Sequence, residues 1–513
     1  MKQHYYSFLC SLLALSLPTF LYAQTAEKYA ETIQIQDLKA HLTFIADDVL
    51  EGRETGSRGL AVAAKYLQSQ LMRIGIAPGN PKDNSYFQYY KVITSTLEEE
   101  NILIGKETFS YQKDFFTFDL SKVPKEITGD WVFAGYGMSE EKYNNLKGLE
   151  VKGKNVLVFG GTPKPSLESL RGQIREWNMR NYDLMSKGAK SIFMVLPDSV
   201  YDILNIYGKK KAVNMASPED EVETPIFLTN TKMADAFLKS CKMDYKSMIT
   251  KLNQSEKVPA CNFSKLKWQY KVAKKSIEAT ATNVIGILEG TDKKDEYVAI
   301  TAHYDHLGIV NGQICNGADD DGSGTVSLLE QAEAFAKAAA EGHRPSRSLL
   351  FIFHSGEEKG LWGSEYYTEN PLYPLEKTVA DLNIDMIGRV DPKYSKREDS
   401  VNYVYVIGAD KLSSELHEIN EKVNKAHTNL TLDYTYNSES DPNQFYYRSD
   451  HYNFAKRGIP VIFYFTGTHE DYHKPTDDIE KIHFPKMVTI NRLVFHTAWE
   501  LVNREKRIVV DKK

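Results

Sequence analysis

The sequence predicts an α/β protein: a mixed, mostly parallel sheet flanked by helices, with a smaller domain inserted into it. Three observations carry this. First, the second half of the chain holds four apolar stretches: YVAITAHYDH (297–306), LLFIFHSGEE (349–358), VADLNIDMIG (379–388) and IPVIFYFTGTHEDYH (459–473). All have the β-branched and aromatic bias of buried strands. Second, each delivers His, Asp or Glu at its C-terminal end, the edge where open parallel sheets place their sites. Third, a Lys-rich middle section separates these strands from two amphipathic helices near the start, so one domain is interrupted by another.

In chain order, residues 1–23 read as a signal peptide. Lys2 supplies a positive start, residues 8–20 an apolar run, and Leu21-Tyr22-Ala23 a small-residue end, which places cleavage before Gln24. The run is Pro-interrupted and shorter than the ~20 residues a span needs. Cys10 lies inside it, with too little before it for a lipid-attachment box. Export, to a periplasm or out of the cell, is the expectation, and no other segment could cross a membrane.

Residues 24–105 form the first part of the main domain. Over 33–50, Leu38, Leu42, Ile45 and Val49 share a helical face. A polar turn, EGRETGSRG, leads to a second helix that carries Leu60, Ala64, Leu67, Leu71 and Ile74 to a stop at Gly75. Residues 106–275 are the insertion. Its short strands KNVLVFGG (154–161) and KSIFMVLP (190–197) surround a helix near 171–187, and it holds no ligand-type residues at metal-binding spacing. Residues 276–513 complete the main domain, with an Ala-rich helix over 324–341 packing through Val326, Leu329 and Phe335.

Composition excludes several classes. With 42% hydrophobic residues and a net charge of −6, the chain is neither basic enough for nucleic acid nor furnished with a basic amphipathic helix for membranes. Three cysteines follow the leader, Cys241, Cys261 and Cys315. An odd number is no disulfide framework, although Cys241 and Cys261 could pair in an oxidising compartment.

The site assembles from the strand ends. His303 closes the first strand as an imidazole ligand, and Asp305 can orient its other ring nitrogen. The turn GADDDGSG (317–324) presents Asp319, Asp320 and Asp321 before glycines that let the chain turn tightly. One of these carboxylates can hold two cations about 3.5–4 Å apart. Glu357 and Glu358 end the second strand, where adjacent carboxylates point differently; one can bind metal while the other acts as general base. Asp385 ends the third strand and His473 follows the fourth. Singly, each has a bland reading as a satisfied core histidine or a solvated turn, and GADDDGSG fails the EF-hand pattern because Leu328 occupies its twelfth position. Their joint placement at successive strand ends favours a metal site.

HEDYH (469–473) matches the short zinc-protease motif, which works only on a helix. Here it lies between Gly467 and Pro475, directly after a strand and without apolar periodicity. His473 is therefore read as the ligand, and His469 and Glu470 as loop residues.

Together HYDH, GADDDGSG, SGEE, NIDMIG, YRSDHYNFAKRGIP and DYHKPTD resemble the M28 family of zinc aminopeptidases, over roughly the first 90 mature residues and everything from about 278 onward. The resemblance implies a zinc exopeptidase (phosphorylase/hydrolase-like) fold and two Zn2+ ions. Their ligands would be His303, Asp320, Glu358, Asp385 and His473, with Asp320 bridging; which terminal ligand serves which zinc stays open. It also implies Glu357 as general base, Tyr472 polarising the substrate carbonyl and Arg448 contacting substrate. The substrates would be peptides cut at the N-terminus. A carboxypeptidase of the same superfamily and a non-catalytic binding protein on this scaffold are the alternatives. Within the insertion, WVFAGYGM, GLEVKGKNVLVF and GAKSIFMV resemble a protease-associated (PA) domain, which implies a role in restricting or binding substrate.

Overall fold

The computed structural model describes residues 25–140, 143–163, 170–206, 208, 210–215, 224–255 and 257–512, so the expected leader lies outside the described residues. The chain forms two compact units: residues up to Lys91 together with Thr280–Lys513, and Val92–Ala279. The smaller unit is wider than 106–275, because the strands Phe87–Ile104 and Trp268–Leu288 each run through a boundary.

In the larger unit, helix α1 (Ile35–Ile45) buries Leu38, Leu42 and Ile45. It ends sooner than its periodicity suggests: the Asp47 side chain accepts the Val49 N–H at 2.8 Å and starts a new turn. Val49 is thereby turned out to solvent, 70% exposed, rather than lying on the apolar face. Helix α2 (Arg58–Arg73) starts on the Ser57 side chain, which accepts from Leu60 N. Gly75 follows it at φ +78, the left-handed conformation that closes helices.

The sheet is built from β1 (Trp268–Leu288), β2 (Lys293–His303), β3 (Arg347–His354), β4 (Thr378–Ile384), β5 (Tyr403–Ile407), β6 (Thr431–Asp433) and β7 (Val461–Phe465). Its order in this unit is β1-β3-β2-β4-β7-β5-β6. The pairings β3/β2, β2/β4, β4/β7 and β5/β6 are parallel, whereas β1/β3 and β5/β7 are antiparallel. Every residue of β3, β4, β5 and β7 is buried. That explains their unbroken apolar runs: both faces are covered. On one face Leu349, Phe351 and Phe353 pack with α1, α2, α3 (Gly324–Ala340) and the long C-terminal helix α6 (Phe484–Asn503). On the other, Leu350 and Ile352 meet Tyr367 of α4 (Trp362–Glu369) and Phe454. Helix α5 (Ser414–Val423) joins the first of these layers through Leu416, Ile419 and Val423.

The smaller unit has its own five-stranded sheet, in the order 115–116, 226–229, 191–195, 155–159, 131–133. The last four strands are parallel. The segments expected as strands at 154–161 and 190–197 form Asn155–Phe159 and Ser191–Val195, and the expected helix spans Leu170–Ser186. Its core is separate and aromatic-rich, including Phe133, Phe159, Phe193, Phe227 and Phe237. Cys241 and Cys261 form a disulfide, and Cys315, in the larger unit, is buried. No helix among the described residues is long and apolar enough to cross a membrane.

Candidate metal centre

The C-terminal ends of β2, β3 and β4 and the loop after β7 converge, because parallel pairing brings those ends side by side. His303, the last residue of β2, is in register with His354 of β3 and wholly buried. Its Nδ1 lies 3.2 Å from the Asp305 backbone carbonyl and 3.6 Å from that residue's carboxylate. The carbonyl thus fixes the tautomer and leaves Nε2 free to face the site. The Asp305 carboxylate mainly serves elsewhere, accepting from Thr55 Oγ1 at 2.6 Å and Glu357 N at 3.2 Å. The orientation expected from its side chain comes chiefly from its backbone, since a residue two on curls its carbonyl back toward the ring.

The acidic turn gives its three carboxylates different tasks. Asp319 Oδ1 accepts from Gly388 N at 2.6 Å, and its Oδ2 lies 3.3 Å from His469 Nε2. Asp321 accepts from His303 N, Gly324 N and Met386 N, tying β2, α3 and the end of β4 together. Asp320 is left to point into the site. One oxygen lies 3.4 Å from His303 Nε2 and the other 3.2 Å from His473 Nε2. Burial disfavours its charge, but His303 and His473 outweigh that and hold it well below the usual carboxylate range. Gly317 makes the turn possible: φ is +55, and a Cβ there would lie 2.1 Å from the Asp320 carbonyl oxygen. Asp477 supports it from outside by accepting the Asp319 and Asp320 N–H groups, each at 3.1 Å.

After β3, Gly356 at φ +78 turns the chain so that the two glutamates diverge. Glu358 Oε2 lies 3.2 Å from His473 Nε2, and Oε1 lies 2.7 Å from His306 Nδ1. Glu357 stays on the His303 side, 3.9 Å from its Nε2. Burial pushes the Glu357 carboxyl well above its ordinary range; His303 opposes this, and Glu358 and Asp385 add to it. Asp385 lies 3.8 Å from His303 Nε2 and accepts from Ser449 Oγ at 2.6 Å. Ser449 in turn accepts from Asn383 Nδ2 at 2.8 Å. His473 takes φ +59, and burial is outweighed there by Asp320 and Glu358, which raise its imidazole to about 10.

Asp320 thus stands between two sets, His303 with Asp385 and His473 with Glu358. His303 Nε2, Asp320 Oδ2, Glu358 Oε1 and both ring nitrogens of His306 are buried without a hydrogen-bond partner. Short contacts without hydrogen-bond alignment are what ligands aimed at a common cation present, and buried orphans otherwise cost about 1–3 kcal/mol each. Imidazole and carboxylate donors suit zinc. Tyr472 stacks on His473 with ring centroids 3.8 Å apart, and its hydroxyl accepts from Arg448 Nη2 at 3.1 Å. A small cavity beside the cluster is walled by Glu357, Arg448, Tyr472, Phe445, Phe463 and Phe465.

The HEDYH segment is turn rather than helix. His469 faces Asp319, away from the His473 set, but it is buried and not an ordinary loop residue. Sequence reasoning also passed over His306, whose ligand atom clusters with those of Asp320 and Glu358. The second histidine of HYDH was its only signal. Asp477 and Ser449 gave none, because their roles depend on loops far away in sequence.

Comparison with known proteins is consistent with this geometry. Aminopeptidase YwaD of Bacillus subtilis is 28% identical over 246 residues, 46% of this chain and 48% of the relative. A probable leucine aminopeptidase of Trichophyton verrucosum is 31% identical over 216 residues, 41% of this chain and 55% of the relative. The chain therefore spans about half the length of the curated relatives it matches. The crystal structure of BSAP, a zinc aminopeptidase from Bacillus subtilis, shares the fold: TM-score 0.53 and 18% identity, over 94% of this chain and 99% of that one. Residues 283–498, which contain the whole side-chain cluster from His303 to His473, match peptidase family M28.

Proposed function

We propose that this chain is an exported dizinc aminopeptidase that removes N-terminal residues from peptides. The observation that carries the reading is Asp320, with one carboxylate oxygen toward each of two histidine–carboxylate sets. His303 and Asp385 would hold one ion, Glu358 and His473 the other, and Asp320 both. When bound, such a pair supplies a water acidic enough to ionise near neutral pH and a Lewis acid for the scissile carbonyl. Glu357, whose carboxyl is raised by burial, takes the proton from the attacking water and returns it to the leaving amine. The Tyr472 hydroxyl, positioned by Arg448, donates to the oxyanion. The Phe445, Phe463 and Phe465 walls favour an apolar first side chain.

The names of the relatives and the family match support the activity. The Cys241–Cys261 disulfide supports an oxidising compartment. The smaller unit is assigned the substrate-restricting role of a PA domain on the motifs quoted above. The test is a panel of free-amine, N-blocked and C-blocked dipeptides with the zinc-loaded protein. Cleavage of free-amine and C-blocked substrates, but not N-blocked ones, is expected. The reverse pattern would make it a carboxypeptidase, and no turnover of any would favour a binding protein.

A further inference from the structure

The polar turn EGRETGSRG (51–59) between α1 and α2 has no role in the chemistry above, yet three consecutive residues of it hold different pieces of the metal centre. Arg53 donates through Nε to the Tyr304 carbonyl at 2.9 Å. Its Nη1 donates to the carbonyls of Ile45 and Asn316, the latter at 2.6 Å, and its Nη2 to that of Gly317 at 3.1 Å. The Arg53 carbonyl in turn accepts from His306 N at 3.3 Å. Glu54 pairs at 3.0 Å with Lys359, the neighbour of Glu358. Thr55 Oγ1 donates to the Asp305 carboxylate.

Arg53 is wholly buried, and a buried charge is costly unless it is bonded and compensated. The four carbonyls satisfy its N–H groups but carry no net charge. The compensation comes from the acidic cluster: burial lowers the guanidinium to about 10, while Asp305, Asp321, Asp477 and Asp320 oppose that and keep it cationic. The backbone is committed as well. Glu51 and Arg53 take φ +50 and +51, where residues other than glycine persist only if the surroundings over-determine them. The acidic turn is held in a complementary way. The Arg53 guanidinium holds the carbonyls of Asn316 and Gly317 at its start, and the Asp477 carboxylate holds the N–H groups of Asp319 and Asp320.

We propose that Arg53 is a positioning residue of this centre: its planar fork fixes the entry to the acidic turn and so aims the Asp320 carboxylate between the two histidine–carboxylate sets. This role presupposes the two-zinc centre proposed above. A lysine supplies the charge but not the four bonds, because an ammonium offers three donors from a single point. Arg53 acts through the turn's backbone and not on the substrate, so zinc binding and kcat should respond while KM does not.

The test compares full-length wild type with Arg53→Lys and, as a control, Arg347→Lys. Arg347 is 1% exposed and also donates to backbone carbonyls, those of Leu501 and Arg504, but it lies at the end of β3 away from the metal centre. In metal-free protein, Arg53→Lys is expected to speed hydrogen exchange of the Asp319 and Asp320 amides, read on a peptide spanning the turn. With metal, it should hold the weaker zinc at least ~10-fold less tightly, the usual cost of losing a group that supports a ligand. It should also shift the visible absorption of the cobalt-substituted protein and lower kcat at unchanged KM. Arg347→Lys should lower the melting temperature and move none of these. Wild-type exchange in Arg53→Lys, or wild-type zinc affinity in protein that binds two ions, would mean a purely structural role and overturn the proposal. Should Arg53→Lys not fold, Arg53→Gln, which buries no charge, is read in the same way, and failure of both to fold would also overturn it. Wild type that takes up no second zinc would instead sink the dizinc reading; the exchange measurement, which needs no metal, then decides Arg53.

Discussion

At the scale of single residues, the adjacent glutamates after β3 divide two jobs by a few ångströms. Glu358 is between His306 and His473, whereas Glu357 lies nearest His303 and borders the small cavity. Glu357→Gln is expected to keep both metals and lose at least ~10²-fold in kcat, the usual cost of removing a general base. Glu358→Gln should lower zinc occupancy. Metal analysis beside single-turnover rates separates the two, and the opposite pattern would exchange the roles. Away from the centre, Glu330 on α3 is buried 3.7 Å from His41 Nε2. Burial, reinforced by Asp37 and Glu333, raises its carboxyl to about 8. The folded state then binds more protons than the unfolded one between about pH 4.5 and 8, so this group's contribution is present at acid pH and lost as pH rises through 8. Melting temperatures measured from pH 5 to 9 should fall less steeply for Glu330→Gln than for wild type; parallel curves would contradict the shift.

At the scale of elements, strand ends were legible because β3, β4 and β7, and β2 from Tyr297 onward, are buried on both faces and therefore read as largely apolar runs. Helix extent was less so: periodicity carried α1 through Val49, but a local side-chain cap at Asp47 overrides it. Strand order and turn chemistry bring His303, the acidic turn, the two glutamates, Asp385 and His473 to one edge, whereas the choice of Asp320 and Glu358 as ligands rests on the M28 resemblance. His306, Asp477 and Ser449 follow from neither, since packing of distant loops gives them their partners. The segment 469–473 shows why context matters more than motif. On a helix, His469 and His473 would share a metal; in this turn His473 meets Asp320 and Glu358 while His469 meets Asp319. His473→Ala is expected to lose zinc and activity. His469→Ala should keep zinc and Glu470→Gln both zinc and rate, although His469→Ala should lower stability by leaving the buried Asp319 oxygen unpaired, at about 1–3 kcal/mol. Zinc loss in His469→Ala equal to that in His473→Ala would restore the helical-motif reading.

At the scale of the whole molecule, two cores predict two responses to stress. The larger unit's core joins α1, α2, α3 and α6 to the sheet, and the smaller unit has an independent core from Ile102 to Val272. The Cys241–Cys261 bond lies entirely in the smaller unit and closes a loop with a sequence separation of 20. By the chain-entropy argument, closing a loop of that length restricts the unfolded state by about 3 kcal/mol. For a compact unit of this size, that is a large part of the usual 5–15 kcal/mol. Reduction, or Cys241→Ser with Cys261→Ser, is therefore expected to lower the melting of the smaller unit by several degrees. The larger unit, which holds the proposed metal centre, should melt unchanged, and zinc should shift only that second transition, since ligands stabilise only the unit whose native state binds them. Calorimetry of the full chain, oxidised and reduced, with and without zinc, gives both shifts in one series. A single transition that moves with both reductant and zinc would mean that the two cores unfold as one cooperative body.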